Sequence, residues 1–389
     1  VILFFALTMS FVAEPAGAVP AFARRYKLPC HFCHDGFPKL SVIGEQFKER
    51  GLHMQQETFE LNQWLKSVPA TLRTGLNRTF VNDGDDQTLG FFKLVTTGAL
   101  GSRVSYWVDQ IWTATKDGFD RVGTDNAWGR AEVVPEYLYV KGGRFELDLP
   151  FTQVRRPLLF DYEIYFVNTG FESDSIGLPQ DGVEVGGSFD PGIHWSVAVV
   201  KGQNASEAVE LTEKADRFDG NFYGRLQHRS GSNRIGAFVY LGSNVLAREN
   251  PDPDHGGESV LVWDDDFLRF GGDGSYYAGP LHLFGVFMHG RNDNSIADAA
   301  NPEGTGQTLT FTGGYVQGDY TLRDEMLLSA RFNLVRRPPE RTGLPNQTFV
   351  GFFPGLRIGF LNRFRVLFEV GFQNQGRGTV GAVQADLAL

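Results

Sequence analysis

From about position 70 onward the chain breaks into segments of roughly ten residues in which apolar and polar positions alternate, separated by Gly, Asn, Asp and Pro clusters. Phe364, Val366, Phe368, Val370 and Phe372 fall on one face of such a segment, with Arg365, Glu369 and Gln373 on the other. Leu328, Ala330, Phe332 and Leu334 oppose Ser329, Arg331 and Asn333 in the same way, as do Val383, Ala385, Leu387 and Leu389 against Gln384 and Asp386. A period of two fixes the register, because a slip of one residue would invert both faces. The count is about sixteen segments, an even number, as bacterial outer-membrane barrels require.

The connections support that reading. Tight links are expected at Gly101-Ser102, Gly142-Gly143, Asp190-Pro191, Gly279-Pro280 and Asn362-Arg363, and long ones near 115–130, 152–180, 203–218, 245–263 and 293–306. Alternation of short and long connections is the habit of barrels with short periplasmic turns and long outer loops. Arg225, Arg331, Arg357 and Arg365 fall at lumen positions, where they line a polar interior or pair with carboxylates such as Glu369. Tyr106, Trp107, Trp112, Tyr276 and Tyr277 lie near segment ends and are candidates for interfacial girdles or are ordinary strand residues.

Composition agrees with strands. The 389 residues include 47 Gly, 34 Phe and 12 Tyr but only 4 Met, a turn-rich and aromatic mixture. The net charge of −10 carries no electrostatic footprint for nucleic acid. Residues 1–13 form a short apolar run followed by Ala16-Gly17-Ala18, so residues 1–18 read as an export signal, partial at its start, with cleavage before Val19. The domain reading is therefore signal 1–18, a small mainly α segment 19–69, and a barrel 70–389.

The small segment carries the chemistry. Both cysteines of the chain stand in Cys30-His31-Phe32-Cys33-His34, so no disulfide framework spans the fold. Cys-x-x-Cys-His offers two thiols for thioether bonds to one covalent haem c and an imidazole, His34, as proximal iron ligand. A thioredoxin-like pair would want a neighbouring βαβ pattern, and zinc would want further ligands at ligand spacing. The distal ligand is open between His53 and Met54. Met54 is favoured because thioether ligation raises the potential, as suits an acceptor from a weak donor; His53 and a water-bound site are the alternatives. Between motif and ligands, Lys39 to Arg50 reads as an amphipathic helix with Leu40, Ile43 and Phe47 on one face and Gly51 as C-cap. About fifty residues make a poor core alone, so the segment is expected to plug the barrel lumen.

Residues 19–54, from Val19-Pro20-Ala21-Phe22-Ala23-Arg24-Arg25-Tyr26 through the Cys-His motif, Phe37-Pro38-Lys39-Leu40, Gly44-Glu45-Gln46-Phe47-Lys48 and Gly51-Leu52-His53-Met54, resemble the fused monohaem cytochrome-porins of iron-oxidising bacteria. The likeness in motifs covers about a tenth of the chain. Gly51-Leu52-His53-Met54 stands where that family more usually has Gly-Tyr-x-Met. The resemblance implies electron transfer across an outer membrane, from extracellular Fe(II) through the haem to a periplasmic c-type cytochrome. It leaves open the reverse direction or another donor. A passive solute porin with a haem-containing gate is the alternative of a different class, and a catalytic haem enzyme a weaker one. Asp83-Gly84-Asp85-Asp86 and Asp264-Asp265-Asp266 are candidate attractors of metal cations, or simply solvated carboxylates. His194, His228, His255, His282 and His289 are assigned no ligand role.

Overall fold

The structure, a computed structural model, describes residues 21–26, 28–35, 39–52, 54, 70–81, 87–115, 118–124, 126–149, 151, 156–167, 175–189, 192–201, 220–249, 260–294, 305–323, 325–337, 348–360, 364–374 and 378–388. The signal reading, His53, His255 and Asp83-Gly84-Asp85-Asp86 lie outside these residues. Three short helices come first: α1 (Ala21–Tyr26), α2 (Cys30–Cys33) and α3 (Val42–Glu49). The strands follow as β1 (Ala70–Val81), β2 (Gln87–Ala99), β3 (Val104–Thr115), β4 (Gly118–Gly123), β5 (Ala127–Val134), β6 (Leu138–Phe145), β7 (Gln180–Phe189), β8 (Ile193–Val200) and β9 (Asn221–Ser230). The second half comprises β10 (Asn233–Glu249), β11 (Val260–Ala278), β12 (Leu281–Asn292), β13 (Leu309–Arg323), β14 (Met326–Arg336), β15 (Thr348–Phe360), β16 (Phe364–Gln373) and β17 (Thr379–Ala388).

Each strand pairs antiparallel with its neighbour, and β1 pairs with β17 from Arg73↔Ala388 to Val81↔Val380, so the sheet closes on itself and leaves no edge. Both β4 and β5 pair with β3, β4 against its far half and β5 against its near half. They are two pieces of one broken wall strand, and the closed barrel has sixteen strand positions, as the alternation predicts.

The period-two reading of the wall holds strand by strand. Phe364, Phe368 and Phe372 stand outward and exposed while Arg365 and Glu369 are buried inward. Leu328, Phe332 and Leu334 oppose buried Ser329, Arg331 and Asn333. At one end of the barrel the links run from two to four residues; at the other they run from five to 34, apart from the short link between β3 and β4. Gly142 and Gly143, expected as a turn, instead lie inside β6, and the tight link is 135–137. Gly143 is there because a Cβ would lie 2.2 Å from the Ala127 carbonyl oxygen of the paired strand. The long connections expected near 115–130 and 245–263 are also shorter than read, since β4, β5, β10 and β11 extend into them.

The lumen is partly filled. Residues after β6 fold into the barrel and cross it as a strap: Leu147, Leu149, Phe151, Leu158, Tyr162, Ile164, Tyr165, Val167 and Ile176 are buried in one cluster with inward side chains such as Tyr223, Phe284, Tyr315 and Phe353. The span 152–180, expected as an outer loop, therefore contributes its described residues to the interior. Buried apolar surface here contributes on the order of 25 cal/mol per Å². No helix among the described residues is long and apolar enough to cross a membrane.

Candidate functional site

The Cys-His motif is a single turn of helix, α2, which sets backbone positions 30 and 33 one turn apart on the same side. His34 follows directly. Its Nδ1 lies 3.1 Å from the Lys39 carbonyl oxygen, an acceptor, so Nδ1 carries the proton and donates. That tie fixes the ring's tautomer and orientation, the usual outer support of an imidazole that ligates through Nε2.

Helix α3 is packed on the motif backbone to backbone. Ser41 is its N-cap, accepting from Gly44 N at 3.2 Å, while its own hydroxyl donates to Phe32 O at 3.1 Å and its amide to Cys33 O at 2.9 Å. One residue thus caps the helix and satisfies two motif carbonyls. At Gly44 a Cβ would fall 2.1 Å from Cys33 O, so the two helices meet this closely only with glycine at that position. The helix starts later than the sequence pattern suggests because Lys39 and Leu40 are taken by contacts with His34. It ends at Arg50, followed by Gly51 (φ 69) and Leu52 (φ 65), both left-handed, with Leu52 N donating to Phe47 O. Phe47 packs edge-on to Phe22 and Tyr26, with ring centroids 4.9 and 5.7 Å away. Ile43, expected on the same buried face, is instead 40 % exposed. Met54 follows the left-handed turn and is half-buried.

Inward side chains from five strands hold this segment at the short-link end of the barrel. Glu45 pairs with Arg234 at 2.5 Å and Arg229 at 3.4 Å; Glu49 pairs with Arg229 at 2.7 Å and accepts from Gln227 at 3.0 Å. Lys39 pairs with the fully buried Asp319 at 2.9 Å. Arg130 donates to Lys48 O and Glu49 O at 3.2 and 2.7 Å, placing a cation on the last carbonyls of α3 where the helix dipole is negative. Tyr277 Oη donates to Asp35 Oδ2 at 3.3 Å, beside His34. Burial pushes the Asp35 carboxyl up, against the pull of Lys39 and of that hydrogen bond.

A cleft between α3 and the wall is lined by Leu40, Glu49, Trp128, Arg130, Asp148 and Phe151. At its rim Asp148 accepts from Ser196 at 3.2 Å and faces His194 Nε2 at 3.6 Å, while His194 Nδ1 meets Ser188 at 3.2 Å. Burial pushes Asp148 up, but the hydrogen bond and charge of His194, with Arg225 and Lys48, outweigh it and hold the carboxyl well below the usual range. The sequence shows no such Ser, His and Asp grouping, because three separate elements bring it together.

The remaining candidates divide. Arg225 pairs with Asp273 at 2.8 Å and Arg365 with Asp386 at 2.6 Å. Arg331 donates to Phe160 O at 2.9 Å and Arg357 to Pro157 O, while Glu369 accepts from the amides of Leu159 and Phe160. These groups clamp the strap's backbone. Tyr106, Trp112 and Tyr276 occupy outward positions near strand ends, but Trp107 and Tyr277 turn inward, since adjacent strand residues cannot share a face. The same alternation divides Asp264-Asp265-Asp266: Asp265 is fully buried, accepting from Asn292 Nδ2 at 2.6 Å, and its two neighbours face outward, so the three do not converge. Among the described residues no three His, Cys, Asp or Glu side chains form a metal-sized group.

Comparison with protein-family models and with curated proteins returns no match. Solved structures do match. OmpT of Vibrio cholerae superposes with a TM-score of 0.58 at 11% identity, covering 82% of this chain and 96% of that one. OmpF of Salmonella typhi gives 0.55 at 9%, covering 82% and 97%, and OprB of Pseudomonas putida 0.53 at 9%, covering 87% and 100%. At these identities the likeness shows the fold, an outer-membrane type of β-barrel.

Proposed function

We propose that the chain is an outer-membrane electron-transfer protein that takes electrons from an extracellular donor, Fe(II) foremost, and delivers them to a periplasmic c-type cytochrome. One observation carries the reading. The Cys-x-x-Cys-His turn, its histidine already oriented through Nδ1, belongs to a helical segment ion-paired to inward wall residues. The donor set fits a c-type haem: two thiol positions a turn apart, an imidazole held by a carbonyl, and a half-buried thioether at Met54 beyond the next helix. Such a group supplies a one-electron centre when bound at Cys30, Cys33 and His34, with Met54 or, alternatively, His53 as distal ligand.

Short links mark the periplasmic end of outer-membrane barrels, so on this reading the helical segment is a plug on the periplasmic side and the long loops lie outside. The exposed apolar wall then faces lipid. An insulating layer about 30 Å thick defeats a single long electron jump, and a centre inside the barrel divides the gap. The solute-porin reading draws on the likeness to OmpF and its relatives, but the buried strap argues against a wide aqueous path.

The test is an anaerobic visible spectrum of outer membranes holding the full chain, before and after Fe(II), with Met54→Ala and His53→Ala alongside. Sharp reduced c-type bands on adding Fe(II) are expected, and the variant that loses the low-spin spectrum names the distal ligand. A spectrum with no c-type bands under any reductant would sink the reading. Bands that respond only to stronger reductants would remove Fe(II) as donor.

A further inference from the structure

We infer that a run of packed aromatic rings, Tyr277, His282, Phe284, Tyr315, Tyr162 and Tyr165, is the route by which electrons cross the middle of the barrel to the Cys-His motif. The inference rests on the electron-transfer reading and adds the path.

The run begins at the motif. Tyr277 Oη donates to Asp35, the residue after His34. Its ring lies parallel to that of His282, with centroids 3.9 Å apart and planes 6° apart. His282 to Phe284 is 4.7 Å, Phe284 to Tyr315 is 6.3 Å and edge-on, Tyr315 to Tyr162 is 4.3 Å and stacked at 12°, and Tyr162 to Tyr165 is 5.8 Å. Four of the six rings come from three wall strands, β11, β12 and β13, and two from the strap, so the tertiary fold assembles the run. In a water-filled barrel the inward face is polar, whereas His282, Phe284 and Tyr315 face inward and each is 3 % exposed. Strand β12 carries His282 near the short-link end, while Tyr315 pairs opposite Val286 in mid-barrel. The rings therefore climb along the barrel from the motif to the strap.

Electron tunnelling decays steeply with distance and most steeply across empty gaps. Rings in van der Waals contact leave few such gaps, and His282, Phe284, Tyr315, Tyr162 and Tyr165 are all buried. Each event moves one electron and exchanges no bond or proton: the external donor, such as Fe(II), loses the electron, and a haem held by Cys30, Cys33 and His34 would supply the one-electron acceptor. No ring needs to be oxidised as a separate step.

The experiment uses the full haem-loaded chain with a ruthenium polypyridyl photosensitiser on Thr308→Cys, an exposed position at the long-loop end. A flash drives one electron from the sensitiser, and the rate at which reduced c-type bands appear reads the path without any natural donor. Phe284→Leu, Tyr315→Leu and Tyr162→Leu are each expected to slow transfer several-fold, and the triple variant more. The equilibrium spectrum and midpoint potential should stay as in the parent chain. Phe349→Leu, a buried aromatic of the same cluster outside the run, should leave the rate unchanged.

An unchanged rate in the triple variant overturns the proposal, as does equal slowing by Phe349→Leu, which would make packing alone the cause. If flash-driven transfer follows the rings while Fe(II) fails to reduce the protein, the route stands and the Fe(II) donor falls. A chain that takes up no haem overturns both.

Discussion

The barrel holds two interior regions made in opposite ways. At the short-link end, the helical segment is fixed to the wall by charge: Glu45, Glu49 and Lys39 meet Arg229, Arg234 and Asp319. In mid-barrel, the strap is fixed by apolar burial, with Tyr162 stacked on Tyr315 and roofed by Arg331. The wall is the same alternating sheet in both places, so the difference lies in what each region must do. The segment carrying the Cys-His motif is oriented by paired charges, which are specific in direction and set register. The strap is instead held by apolar surface packed against inward wall side chains. The partly exposed pair Glu49–Arg229 predicts a weak, salt-sensitive contribution to docking, and fixing by burial predicts a strong, salt-insensitive one.

The largest effect belongs to the strap. Tyr162→Ala removes a fully buried ring from the cluster and is expected to destabilise the barrel by about 3–5 kcal/mol, the usual cost of truncating a buried aromatic. It should also raise single-channel conductance in a planar bilayer, because the lost ring lies on the lumen's cross-section. Phe47→Ala provides the contrast. That ring packs within the helical segment, against Phe22 and Tyr26, so its loss should loosen the segment and leave the urea midpoint of the barrel unchanged. Equal shifts of the barrel midpoint in both variants would end the distinction between the two regions.

The wall was legible in the sequence because a strand half in lipid and half in a filled lumen writes its environment at period two, as Phe364 to Phe372 and Leu328 to Leu334 do. Where that rule was set aside the reading slipped: Trp107 beside Tyr106 and Tyr277 beside Tyr276 cannot both face lipid. Gly142-Gly143 resembled a turn because glycine serves turns and close strand approach alike. The strap was hidden among loops, although Leu147, Leu149, Phe151, Leu158, Tyr162, Ile164 and Tyr165 make that stretch too apolar for a solvated one. That density was the available signal. The helical segment's motif was readable from spacing, but its docking was not, since Glu49 and Arg229 are 180 residues apart and nothing local pairs them.

A middle-sized effect separates the strap's backbone clamp from its apolar packing. Glu369→Ala leaves the buried amides of Leu159 and Phe160 without their acceptor, at a cost of about 1–3 kcal/mol. Glu369→Gln keeps a carbonyl oxygen at the same place and should recover most of the loss. Hydrogen exchange at those two amides is the measurement. If Glu369→Gln exchanges as fast as Glu369→Ala, the acceptor is not what holds the strap there.

The smallest effect tests the charged region. Glu49 and Arg229 are only partly covered, with side chains 25% and 12% exposed, so Glu49→Gln should cost about 1 kcal/mol or less. The informative quantity is its salt dependence. The Debye length falls from about 10 Å at 0.1 M to about 3 Å at 1 M, so added salt should speed hydrogen exchange across α3 in the parent chain and less so in Glu49→Gln. Exchange at the strap amides should not move over the same range. The double exchange Glu49→Arg with Arg229→Glu restores the pair in reverse, yet it puts a cation at the end of α3 beside Arg130 and an anion near Glu45. Docking should therefore recover only in part, and full recovery would mean that the pair acts alone rather than within the surrounding charges.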